Sequence, residues 1–161
     1  MATLVRSPAP VRGLAAGLAA GLIASFAMEQ FQKIWAKAVP MPESGAPATV
    51  KAARKLSLAT TGEPLAEADE KQAGNAVHYL FGAALGAAYG LIAEYRPAVT
   101  TGFGSGFGLA TTTLVDELAV PAAGLGKAPT EVPAVSHAYT YASHLLFGGV
   151  VEGARRMLRG R

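Results

Sequence analysis

The chain has no cysteine among its 161 residues. That excludes disulfides, iron–sulfur clusters and thiol catalysis, and it removes any basis for reading a redox compartment. Charge is scarce too: Asp, Glu, Lys and Arg supply 16% of the residues, against about 25% in an ordinary soluble domain. None of those charges falls within four stretches, 13–28, 73–93, 97–115 and 132–151. A soluble chain of this size could bury one or two such helices but would lack the polar surface to cover four. What is abundant is apolar residues, at 51%, and glycine, at 19 positions. The pattern is that of a small polytopic membrane protein whose helices touch where there are no side chains. The predicted fold is all-α, a four-helix transmembrane bundle forming one membrane domain over 1–161, with spans at about 13–37, 73–94, 97–116 and 132–154 and a hydrophilic segment at 38–72.

The uncharged part of the first stretch is short for a hydrocarbon core of about 30 Å, so the helix is expected to run on past Glu29 and Lys33 to Trp35 and Lys37. Trp35 then falls at an aromatic belt, and Pro40 and Pro42 end the helix. A rival reading makes the same stretch a cleaved signal peptide, with Arg6 and Arg12 as basic flank and Ser25-Phe26-Ala27 as cleavage site. In the hydrophilic segment, 47–61 suits a short basic helix with Lys51, Arg54 and Lys55, stopped by Gly62 and lying in the headgroup layer. The second and third stretches are separated only by Glu94-Tyr95-Arg96, followed by Pro97, so they are expected to form an antiparallel pair. Residues 116–131 read as a loop whose 118–125 part is apolar enough to enter the interface.

Four spans place both termini on one side. Basic residues divide evenly, seven with the termini and seven opposite. The tail Arg155, Arg156, Arg159 and Arg161 tips the expectation toward cytoplasmic termini, because charge close to a helix end counts most. At a membrane surface this cluster meets anionic lipid, not nucleic acid.

Glycines recur at four-residue spacing in ridges: Gly13, Gly17, Gly21 and Ser25; Gly82, Gly86 and Gly90; Gly104 and Gly108. Glycine is a poor helix former, so packing is the reason for such rows, within one chain or between copies in a homo-oligomer. Gly17, Gly21, Ser25 and Glu29 are matched by Gly104, Gly108, Thr112 and Asp116, and 78–82 by 144–148, which suggests two repeated helical hairpins.

Ionisable groups at the helix ends are the only candidate chemistry. Antiparallel threading puts Glu29 on the same side as His78, and the repeat would pair Asp116 with His144, with His137 nearby. Two carboxylates and two or three imidazoles at one depth can relay protons or bind a divalent metal. Alternatively each imidazole only braces a helix crossing. No catalytic or cofactor motif occurs: 102–108 reads G-F-G-S-G-F-G, which fits neither a nucleophile elbow nor a dinucleotide fingerprint. The echo of a potassium filter at 100–104 lacks a pore helix, since Pro97 follows the second stretch almost at once.

The first stretch to Trp35, the segment Gly74-Asn75-Ala76-Val77-His78-Tyr79-Leu80-Phe81-Gly82 with Gly86, Tyr89, Gly90 and Glu94, and the segment from His144 to Gly148 resemble the YagU-like family of uncharacterised small bacterial inner-membrane proteins. The resemblance implies a bacterial inner-membrane location and a link to acid tolerance, and it supplies no catalytic residue. The expectation is an inner-membrane protein without enzymatic activity or cofactor, structural or stress-related, partnered by the lipid bilayer and by copies of itself. The alternative is a proton or metal transporter or channel subunit built on Glu29, His78, Asp116, His144 and His137.

Overall fold

The computed structural model describes residues 8–42 and 45–160; Arg6 and Arg161, counted above among the basic residues, lie outside them. The described residues are helical, with no strand among them. Helix α1 (Pro10–Ala38) opens on a proline, whose missing N–H costs nothing in a first turn, and stops at the extended Val39 before Pro40. Helix α2 (Ala48–Thr61) is closed by Gly62 in the left-handed region at φ +76°. Helix α3 (Glu70–Tyr95) follows a 3-10 turn at Glu67–Asp69 and ends where Arg96 precedes Pro97. Helix α6 (Ala134–Arg159) begins after Pro133 and closes on Gly160, again left-handed.

The third stretch is not the single span expected at 97–116. A 3-10 turn, Pro97–Thr100, leads into Gly102, Phe103 and Gly104, all at positive φ (+73°, +53° and +80°). Only then does α4 (Ser105–Thr111) start, continuing as a π-helical segment, Thr112–Ala119, and a last α turn, α5 (Val120–Ala122). Gly104 therefore caps this helix from outside. The residues from Asp116 to Ala122, expected in a loop, are helical. The short Glu94-to-Pro97 connection expected between the second and third helices is replaced by this longer turn. Phe103 is the only described non-glycine residue in the left-handed region, a conformation costing on the order of 1–3 kcal/mol that neighbouring packing must hold. Its ring packs under the Arg156 guanidinium, 5.0 Å from the centroid.

Helix α1 packs on α3 and α6, α4 packs on α6, and α2 lies on α3. The buried face of α1 consists of Gly13, Ala16, Gly17, Ala20, Gly21, Ala24, Ser25 and Met28. Against it α3 turns Gly82, Gly86 and Gly90. A Cβ at Gly17 would lie 2.9 Å from the Gly90 Cα, and one at Gly86 only 2.7 Å from the Gly21 Cα. Gly21 meets the Gly82 carbonyl and Gly13 meets the Glu94 side chain, so the pair is antiparallel. A second antiparallel approach joins Gly104 and Gly108 to Gly148 and His144. It is offset by one helical turn from the sequence repeat: the place that Gly82 takes beside Gly21 falls to His144 beside Gly108. A common core of Ala20, Ala24, Met28, Tyr89, Phe147, Val151 and Ala154 lies between the helices.

Two helices are long and apolar enough to cross a membrane, Pro10–Ala38 and Glu67–Tyr95. Helix α6 is more polar, carrying Ser136, His137, Thr140, Ser143 and His144 in its first half and Glu152, Arg155, Arg156 and Arg159 in its second. Trp35 packs against Phe31 and against Tyr139 of α6, at 5.6 and 6.0 Å between centroids.

Candidate functional site

Because the helices alternate in direction, the C-terminal half of α1, the start of α3, the π-helical segment and the start of α6 share one end of the molecule. They line a half-open cavity of about 640 Å³, with the start of α2 over it. Glu29, His78, Asp116 and His144 all line it, as does Ser25; His137 does not. The π-helical segment is what carries Asp116 into the wall. Such widened turns recur at functional sites because the extra residue per turn re-aims side chains.

The expected Glu29–His78 pair does not form. Glu29 accepts a hydrogen bond from the Tyr79 hydroxyl at 2.6 Å and pairs with Lys33 one turn on, also at 2.6 Å. His78 instead gives Nε2–H to the Ser25 carbonyl at 3.2 Å and stands edge-on to Tyr79. Asp116 and His144 do face each other, Oδ2 to Nδ1 at 3.4 Å, while the same Nδ1 donates to the Thr140 carbonyl at 3.1 Å. His137 lies at the loop, with Nδ1 on Glu117 at 2.7 Å and Nε2 on the Pro129 carbonyl at 3.0 Å. Both its nitrogens are occupied, which makes it a brace between the loop and α6. Among the described residues no three His, Asp or Glu side chains come together as a metal site. Ser25 is fully buried, and its hydroxyl has no hydrogen-bond partner among the described residues.

Roofing helix α2 is held from both sides. Arg54 donates two hydrogen bonds to Glu70, each 2.7 Å, which holds its guanidinium above the ordinary value. Lys55 donates to the Ala123 carbonyl at 2.6 Å, and Val50 rests on Gly74.

At the opposite end lies an ionic network that sequence reasoning missed. Glu152 is fully buried; it accepts from Arg155 at 2.8 and 3.0 Å, from Arg156, and from the Tyr89 hydroxyl at 3.0 Å. Glu94, 6% exposed, accepts from Arg159 at 2.8 and 2.9 Å and from the Ala9 amide at 3.0 Å. The i+3 and i+4 spacing of Glu152, Arg155 and Arg156 was the available signal.

Architecture and site together define an all-helical protein with two membrane-compatible helices and an amphipathic cavity at one end. The chain belongs to the family described as "Protein of unknown function (DUF1440)", whose model matches residues 59–153, from the end of α2 through most of α6. No curated protein and no solved structure matches it.

Proposed function

We propose that the chain is an integral protein of the bacterial inner membrane, crossed four times, by α1, α3, the α4-to-α5 segment and α6, with cytoplasmic termini and a structural or stress-related role. The carrying observation is the inverted character of α1: its buried face holds almost only Gly, Ala and Ser, while Leu14, Leu18, Leu22, Ile23 and Phe26 point outward, exposed. In water that arrangement wastes the hydrophobic side chains. In lipid it is the favourable one, since the tails solvate leucine and the small residues admit close backbone packing. The antiparallel glycine contacts act as a zipper within one chain. A homo-oligomer therefore needs other outward positions, such as Gly106, beside which nothing lies within 4 Å. Likeness to YagU-like proteins adds support for the inner membrane and for a role in acid tolerance. Alkaline carbonate extraction tests the proposal: the protein should stay in the membrane pellet and leave only with detergent, and release by carbonate would overturn it.

A second function, a proton transporter or channel subunit, draws support from the convergence of Glu29, His78, Asp116 and His144 on one cavity. Its metal-carrying form has less support, for want of three ligands in reach of one ion among the described residues. Purified protein in liposomes with a pH dye tests it: a proton leak above empty vesicles would favour it, and none would count against it.

A further inference from the structure

We propose that the cavity between α1, α3, the π-helical segment and α6 binds an organic monocation with an apolar body, its charge set against the carboxylate of Asp116. Charge selects the sign. Among the described residues two carboxylates, Glu29 and Asp116, line the cavity and no Lys or Arg does. Glu29 is already met by the Lys33 ammonium and the Tyr79 hydroxyl. Among the described residues Asp116 has only the His144 ring, at 3.4 Å, whose Nδ1–H is shared with the Thr140 carbonyl. A carboxylate so placed is incompletely compensated, and a bound cation completes it.

The walls select the rest of the ligand. Phe81, Tyr139, Phe147 and Met28 line the same space; aromatic and thioether side chains attract an organic cation through both ring quadrupole and apolar contact. The volume of about 640 Å³ sits within the range of about 300–1,000 Å³ usual for small-molecule sites. A bare metal ion fits poorly, lacking three ligands among the described residues. The inference rests on the packing of α1, α3 and α6, not on which side of a membrane the cavity faces, so it can fail while the four-span proposal stands.

The test uses the full chain in nanodiscs and two probes of the same shape and opposite charge, tetraphenylphosphonium and tetraphenylborate, measured by equilibrium dialysis against empty nanodiscs. Saturable phosphonium binding at one per chain is expected, with borate at least about tenfold weaker, because a like charge against a carboxylate is heavily disfavoured. Asp116→Asn should weaken phosphonium binding about tenfold or more and bring the two probes within about threefold, whereas Glu63→Gln, at an exposed carboxylate outside the cavity, should leave phosphonium binding within about threefold of wild type. Equal binding of both ions, no saturable phosphonium binding, or an unchanged preference in Asp116→Asn would overturn the proposal. Should Asp116→Asn fail to fold, the wild-type comparison of the two ions decides by itself.

Discussion

Gly17 and Gly86 stand backbone to backbone across the α1–α3 crossing, each carbonyl occupying the place where the other residue's Cβ would be. No side chain fits there without separating the helices. Gly86→Leu should therefore cost on the order of 1–3 kcal/mol, as overpacking does in cores, read as a shift of the unfolding midpoint in detergent. Gly106→Ala is the matched control: its Cβ position is open, and alanine should be neutral or stabilising by up to about 1 kcal/mol through helix propensity. Equal effects at the two sites would show that the crossing is loose.

The Glu152 cluster yields the largest expected loss. Glu152→Gln keeps the shape but leaves Arg155, 4% exposed, without its counter-charge. Removing one partner of a buried pair typically costs about 3–5 kcal/mol, so this variant should be poorly folded or strongly destabilised in thermal unfolding. Glu70→Gln, which breaks the exposed pair with Arg54, should change the midpoint little. A Glu152→Gln protein as stable as wild type would mean that the network is solvated.

His78→Gln with His144→Gln separates bracing from proton transfer. Each histidine makes its bond to a backbone carbonyl, a bond the glutamine amide can also donate. Polar contacts between membrane helices average about 0.6 kcal/mol, so the double variant should retain most stability. If the imidazoles only brace, a pH-dye assay in liposomes should read background for wild type and variant alike. A wild-type proton flux abolished in a folded double variant would assign them to transport, because glutamine does not titrate near neutral pH.

Much of this architecture is visible in the chain itself, for physical reasons that vary by element. Helices α1 and α3 announce themselves through uncharged runs, and the four-residue spacing of Gly13, Gly17 and Gly21 and of Gly82, Gly86 and Gly90 marks the faces that meet. The short helix ending at Gly62 was legible from its cap. The third stretch was not, because Gly104, besides packing on Gly148 as its four-residue spacing suggests, sits in the left-handed region as the cap from which α4 starts. Spacing alone does not reveal that second use. The π-helical segment also escaped, since nothing in the run from Thr112 to Ala119 signals a wider turn. At the site, the apparent repeat pairs Asp116 with His144, which do face each other, but the Glu29–His78 pair inferred from helix direction does not form, because adjacent Tyr79 and the Ser25 carbonyl compete for them.

The number of crossings is the central claim, and a reporter at the loop holding Gly124 tests it most directly. Phosphatase and fluorescent-protein fusions placed at Gly62, at Gly124 and after the C-terminus distinguish the arrangements, because two spans and four spans differ only in the position of Gly124. Four spans with cytoplasmic termini predict active phosphatase at Gly62 and Gly124 and fluorescence at the C-terminus. Gly124 reporting from the same side as the C-terminus would contradict the account and leave only α1 and α3 in the membrane.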